Sequence, residues 1–158
     1  MKRLMMLLGL VVAAIACGAS ASTNVSVHLG AVSVLGTPTN LWFDCDVIIN
    51  NRTDTPLTVT NLFVCPPGLA LKITSPDGTE LNRAYAWPLK SWKWTHAPRS
   101  QQQFRRLGYG AKPGRNGNVV GISLPEAVKS VRLQIVGIMS GSSYEGDVTS
   151  NVVEVNVP

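Results

Sequence analysis

The chain has 158 residues, of which 45% are hydrophobic and 15% are charged, and its formal net charge at pH 7 is +5. This length is enough for one domain with a hydrophobic core and is too short for two typical domains. The net charge is too modest to predict nucleic-acid binding.

The first 21 residues have the layout of a secretory signal peptide. Lys2 and Arg3 precede an apolar run at 4–16, and small residues follow it. A positive start, an apolar core of about 7–15 residues and a small-residue cleavage site are typical of such peptides. The run is shorter than the roughly 20 residues that span a bilayer. The sequence therefore predicts export to the periplasm or the extracellular space, with 22–158 as a single mature domain.

A second cleavage site competes with the first. Residues 14–17 read AIAC, which resembles a bacterial lipobox, in which 1–16 is removed and Cys17 is acylated as the mature N-terminus. Ala14 stands where such motifs usually have Leu, whereas Ala16 and the following Gly18 fit. Simple secretion and anchoring to the outer membrane through a lipid on Cys17 both remain open at this stage.

The cysteine count bears on this choice. The chain has three cysteines, and removal or lipidation of Cys17 leaves Cys45 and Cys65 as one pair. An oxidising compartment allows such a pair to close as a disulfide, and a loop of about 20 residues would be stabilised by roughly 3 kcal/mol. The alternative is two buried free thiols. Without a CxxC spacing or a histidine cluster, no zinc site is predicted.

Alternation of apolar residues predicts an all-β chain. Within Thr39–Asn50, Leu41, Phe43 and Cys45 fall on one face and Asp44 falls on the other, which is typical of a half-buried strand. Turn-punctuated segments of this kind predict about seven to nine short strands in an immunoglobulin-like antiparallel β-sandwich. The predicted strands lie at 25–29, 31–35, 39–50, 57–64, 69–73, 118–124, 129–139 and 151–157.

Two stretches carry a family resemblance. The run CDVIINNRTDTPLTVTN, followed by LALKITSPDGTEL, resembles the opening strands of bacterial extracellular immunoglobulin-like domains, including the BsuPI-type proteinase-inhibitor domains. The closing YEGDVTSNVVEVNV is similar to the last hairpin of such modules. The resemblance implies the sandwich fold and assigns no functional residue. Cys45 and Cys65 are too close in sequence for the bridge of antibody-type domains.

One segment is strongly basic. Residues 81–125 contain no acid and eight basic residues, whereas the rest of the mature chain has four basic residues and all nine acids. Removal of Lys2 and Arg3 lowers the formal net charge to +3, so the mature protein is dipolar rather than strongly basic.

Aromatic residues interleave with these cations. Trp92 and Trp94 are two apart, so in a strand they share one face and Lys93 takes the other. Because tryptophan and arginine are common anchors at interfaces, the segment is a candidate contact surface. The alternative is that the tryptophan rings cover one end of the sandwich while the cations stay solvated. The candidate contacts are Arg83, Trp87, Lys90, Trp92, Lys93, Trp94, Arg99, Arg105 and Arg106.

No catalytic apparatus is predicted. His28 and His96 lie on separate predicted elements without spaced ligand partners. Asp44 and Asp46 share an outer face, but two carboxylates fall short of the six to eight oxygens that calcium takes. The glycine-rich run at 108–118 lacks the order of a phosphate-binding loop and predicts a mobile hairpin or a long turn. We therefore expect no enzyme, no metal and no cofactor.

Two functional hypotheses follow. The first is a non-catalytic exported immunoglobulin-like module that binds an unknown protein or an anionic envelope component, with 83–115 as its contact surface. The second is a protease inhibitor that presents a rigid loop from the same fold, either Cys65-Pro66-Pro67-Gly68 or Ala86–Pro98. Neither hypothesis includes specific nucleic-acid recognition.

Overall fold

A computed structural model describes residues 24–60, 62–63, 68–87, 93–110, 112–113, 119–142 and 144–158. These residues form strands and turns and no helix, so the all-β prediction is confirmed. Within them, no helix has the length and apolar character needed to cross a membrane. The predicted leader, including Cys17, lies outside the described residues.

The described part contains more strands than the seven to nine predicted, because strands also form at 80–84, 86–87, 93–96, 100–109, 112–113 and 145–149. In chain order they are β1 (Val25–Thr37), β2 (Asn40–Asn51), β3 (Leu57–Thr60), β4 (Ala70–Thr74), β5 (Glu80–Ala84), β6 (Ala86–Trp87), β7 (Lys93–His96), β8 (Ser100–Tyr109), β9 (Lys112–Pro113), β10 (Val119–Val120), β11 (Ser130–Ser140), β12 (Glu145–Thr149) and β13 (Val153–Asn156).

Four strands form the first main sheet, in the antiparallel order β1-β2-β8-β6. The central strand β2 alternates as its sequence predicts, with Phe43, Cys45 and Val47 fully buried and the residues between them half-buried. Alternate side chains of a strand point to opposite faces. The apolar set of β2 therefore forms one wall of the core.

The second main sheet has the order β12-β11-β4-β5, and β13 pairs with β11 beyond the end of β12. Val131, Leu133 and Ile135 of β11 are fully buried and join the same hydrophobic cluster as the inner residues of the first sheet. Only Tyr85 separates β5 of the second sheet from β6 of the first. Two antiparallel sheets that share one core are consistent with a β-sandwich.

Two pairs of short strands complete the described structure. Strand β3 pairs with β7, so residues 93–96 of the basic segment are held against the chain that follows β2. Strand β9 pairs with β10, which confirms a hairpin in the glycine-rich region, although residues 114–118 lie outside the described part. Leu41 and Ile122 exchange two backbone hydrogen bonds, of 2.9 and 2.6 Å, next to this hairpin.

The first predicted strands, at 25–29 and 31–35, are one continuous strand with an irregularity. The register of β1 against β2 shifts between Leu29 and Val32. At this point the side-chain amide of Asn151 donates to the carbonyl of Leu29 at 3.0 Å, and its oxygen accepts the N–H of Leu29 at 2.8 Å. A side chain thus replaces a neighbouring strand and ties β1 to the second sheet.

Among the described residues, one buried side-chain polar atom has no hydrogen-bond partner. This atom is the hydroxyl oxygen of Tyr109, and burial raises the pKa of the hydroxyl well above the ordinary value. A buried polar group left unpaired costs about 1–3 kcal/mol. The core thus carries a local defect at this hydroxyl.

Tyr109→Phe is therefore expected to stabilise the protein by about 1 kcal/mol, which raises the melting temperature by about 3 °C. The control is Tyr144→Phe, because the Tyr144 hydroxyl is at an exposed site and 3.5 Å from the carbonyl of Asp147; this change should leave the melting temperature unaltered. Thermal unfolding followed by circular dichroism measures both. A lower melting temperature for Tyr109→Phe would show that the hydroxyl has a partner.

Candidate binding surface

The described candidate residues lie on several strands and on more than one sheet. Arg83 lies on β5 of the second main sheet, whereas the candidates described from β7 onward lie on or beside the first. Trp87 belongs to β6, but its side chain, like the whole of Lys90 and Trp92, lies outside the described part. The remaining candidates are Lys93 and Trp94 on β7, Arg99 in the turn after β7, and Arg105 and Arg106 on β8.

The positive charge of Arg83 is paired with the carboxylate of Glu80 on the same strand. Its guanidinium donates from Nε and Nη2 to the two carboxylate oxygens of Glu80, each at 3.1 Å, and Lys72 is 3.7 Å from the same carboxylate. The hydrogen bond from Arg83 and its charge lower the pKa of Glu80. Arg83 also lines a groove of about 550 Å³ on the outer face of this sheet, together with Tyr85 and Asp147. The charged residues that line this groove are Lys72, Arg83 and Asp147.

Trp94 belongs to the core more than to the surface. Its ring lies 5.2 Å from that of Phe104 and 5.1 Å from that of His96, and its indole N–H donates to Gln102 at 2.9 Å. Lys93 is exposed on the opposite face of β7, as the spacing predicts. Trp94 therefore fits the alternative in which tryptophan covers the sandwich, and little of its ring is left for a partner.

Strand β7 also includes part of one of the two loops that the protease-inhibitor hypothesis requires. Residues 93–96 of the predicted inhibitory loop Ala86–Pro98 form β7, which pairs with β3, and His96 is buried. These residues do not form a protruding loop. Residues 65–67 of the other predicted inhibitory loop, and residues 88–92 of this one, lie outside the described residues.

A buried polar network fixes the turns beside β7. The Nε2–H of His96 donates to the carbonyl of Ile49 at 3.0 Å, and its Nδ1 is 2.9 Å from the hydroxyl of Ser100. Asn51 is 1% exposed and donates to the carbonyls of Thr55 and Ala97, each at 3.0 Å. The sequence analysis missed this network because it links residues about 45 positions apart.

Arg99 is held by this network in a cleft. Its φ is +45°, and its N–H donates to the carbonyl of Thr53 at 3.1 Å. Its side chain forms an exposed ion pair with Asp54, and the hydrogen bond from Arg99 lowers the pKa of that carboxyl. The cleft has a volume of about 340 Å³, and Arg52, which the sequence analysis passed over, also lines it.

Arg105 and Arg106 lie together at a bulge of β8. The register against β2 shifts there, so both arginines stand opposite Asp46, and both are exposed. Arg106 has a φ of +52°, which is rare for a residue with a side chain. Asp46 accepts the Arg106 N–H at 3.0 Å and the Gln103 amide at 3.1 Å. Because bulges and such backbone outliers are enriched at functional sites, this pair is the best-defined part of the candidate surface.

The charges around the bulge differ from those around Arg83 and Arg99. Among the described residues, Arg105 and Arg106 take part in no salt bridge, whereas Arg83 and Arg99 each have one. Asp46 uses both carboxylate oxygens for neutral donors. The two guanidinium groups are therefore available to an external anion.

Cys45 is chemically shielded. It is a fully buried free thiol, and no disulfide joins the described residues. Burial, followed by the charges of Asp44 and Asp46, raises the pKa of this thiol to about 12, which keeps it protonated and unreactive. The predicted disulfide between Cys45 and Cys65 is therefore not observed, and Cys65 itself lies outside the described residues.

No group of three or more histidine, cysteine or acidic side chains that could hold a metal ion occurs in the described part of the chain. Comparison with protein-family models and with curated proteins gave no match. The functional argument therefore rests on the geometry of the surface.

Proposed function

We propose that this chain is an exported, non-catalytic β-sandwich module of immunoglobulin-like topology that binds an anionic component of the cell envelope. The contact surface that we propose is narrower than the basic segment 83–115. It centres on Arg105 and Arg106, at the outer face of the first main sheet. Attachment to the membrane through a lipid on Cys17 would bring this surface close to its ligand and is compatible with the proposal.

The observation that carries the proposal is the way in which the bulge holds the two arginines. A left-handed backbone at Arg106 is unfavourable by about 1 kcal/mol or more, and Asp46 offsets this cost by binding the Arg106 N–H. The result is a pair of adjacent, exposed guanidinium groups on a rigid strand. Guanidinium groups bind phosphate and carboxylate in a planar, bidentate manner.

The expected result for Arg105→Gln/Arg106→Gln is weaker binding to anionic vesicles. Purified mature protein is titrated with vesicles of phosphatidylglycerol and phosphatidylcholine, and with phosphatidylcholine alone as the neutral reference. Each arginine near an anionic surface contributes about 1 kcal/mol, so the double variant should bind roughly 10- to 30-fold more weakly. Binding of the unchanged protein should weaken as salt is added.

The matched control is Arg52→Gln/Lys129→Gln. It removes the same number of charges from exposed positions after β2 and before β11, away from the bulge, and neither residue takes part in a salt bridge with a described residue. This variant should lose much less affinity. An equal loss in the two double variants would mean that net charge alone directs binding. No binding to anionic vesicles at low salt would contradict a lipid phosphate as the anionic ligand.

A further inference from the structure

The outer edge of β1 is open over much of its length. Strand β1 pairs with β2 on one side, and Asn151 occupies the other side at Leu29. Within the described residues, no strand pairs with this other side between residues 30 and 37. Ala31, Ser33 and Leu35 are exposed there, and Leu35 has an exposed fraction of 38%.

The pairing of β2 shows which residues of β1 direct their main-chain N–H and C=O groups to this open edge. Leu41 directs its N–H and C=O toward Ile122, away from β1. In an antiparallel pair, opposite residues either exchange both hydrogen bonds or exchange none. The two-residue alternation of β2 gives Phe43 and Cys45 the same orientation as Leu41, so their β1 partners Val34 and Val32 direct their N–H and C=O groups to the open edge. Gly36, the partner of Leu41, also faces this edge, with a φ of +97°.

The edge also lacks the charges that protect the other long edges. Strand β5 carries Glu80 and Arg83, β12 carries Glu145 and Asp147, and β13 carries Glu154. Residues 30–37 of β1 read GAVSVLGT and carry no charge. Charged side chains are a common means of preventing unwanted pairing at an edge strand. The uncharged edge of β1 is thus suited to accept another strand.

We propose that this edge pairs antiparallel with the same edge of a second copy of the chain, with a two-fold axis beside Val34. In this register Val34 lies opposite Val34 of the other copy, and Val32 lies opposite Gly36. Each residue whose N–H and C=O groups point to the edge then lies opposite a residue of the other copy whose groups also point to the edge, so the two residues can exchange hydrogen bonds. A charge-free edge pairs with itself without repulsion, and the pairing is closed, so it ends at a dimer.

The register makes a sharp test possible, because Ser33 lies opposite Leu35 of the other copy and both side chains point away from the core. Ser33→Lys/Leu35→Lys places lysines opposite each other across the axis, and like charges in this position are destabilising. The unchanged mature protein should have the mass of a dimer by light scattering and by sedimentation. The variant should have a dissociation constant at least roughly 10-fold higher.

Two further variants make the outcome decisive. Thr79→Lys/Gln101→Lys adds the same charge at exposed positions outside β1 and should remain dimeric. Ser33→Glu/Leu35→Glu should also dissociate alone, and an equimolar mixture with Ser33→Lys/Leu35→Lys should restore the dimer. A monomeric unchanged protein, or an assembly that the β1 variants leave intact, would overturn the proposal. The melting temperature of each variant confirms that it is folded.

Discussion

Asn51→Ala is expected to lower the free energy of unfolding by about 3 kcal/mol, because it removes a buried side chain that makes four hydrogen bonds to two turns. The Asn51 amide donates to Thr55 and Ala97, and its oxygen accepts the Thr53 N–H at 3.1 Å and the Thr53 hydroxyl at 2.7 Å. One side chain thus closes the turn after β2 and joins it to the turn after β7.

Asn50→Ala is the matched control. Asn50 is the neighbouring residue and is half-buried, and its amide makes one long hydrogen bond, of 3.4 Å, to Ser26. Its loss should change the free energy of unfolding by about 0.5 kcal/mol or less. Urea denaturation gives both values from the midpoint and slope. If the two alanine variants unfold at the same urea concentration, the network does not hold the turns together.

Asn51→Ala should also affect the cleft that contains Arg99. The φ of +45° at Arg99 is maintained by the bond from its N–H to Thr53, and the turn at Thr53 is itself held by Asn51. The bulge at Arg105 and Arg106 depends instead on Asp46. Binding at the bulge should therefore persist under conditions in which Asn51→Ala remains folded.

The alternation in β2, β4 and β11 was enough to predict the all-β class, because these strands have one face in the core and one toward solvent. The predicted boundaries failed where this contrast was absent. Strand β1 continues through the bulge at Leu29 because Asn151, from the far end of the chain, replaces a strand there. No local pattern carries that information.

The candidate surface was harder to predict for a related reason. A list of basic residues does not reveal which of them have acidic partners. Glu80 pairs with Arg83 on the same strand, whereas the partner of Arg99 is Asp54, which the fold brings close from 45 residues away. Alternation correctly placed Lys93 outward. The bulge at Arg105 and Arg106 had one sequence signal that was not used: two successive arginines in a strand cannot both follow the alternation unless one of them is an extra residue.

Gly137→Ala is the second change with a large expected effect, because β11 and the chain entering β4 touch at this glycine. A Cβ on residue 137 would lie closer than van der Waals contact to the carbonyl oxygen of Gly68 and 3.1 Å from the Cα of Leu69. These are backbone atoms, which cannot rotate away, so one strand has to shift in the middle of the second sheet. We expect a loss of about 3 kcal/mol.

The control for this change is Gly30→Ala, which also adds one methyl group within a strand. Its Cβ would lie 3.4 Å from the Cβ and the carbonyl oxygen of Asp46, which is ordinary contact. The expected change is within about 1 kcal/mol. Urea denaturation therefore compares the free energy of unfolding of two variants that each gain one methyl group. The added methyl group overlaps backbone atoms at residue 137 and does not at residue 30. Equal midpoints would show that β11 and the segment before β4 approach each other less closely than the register between Val136 and Ala70 requires.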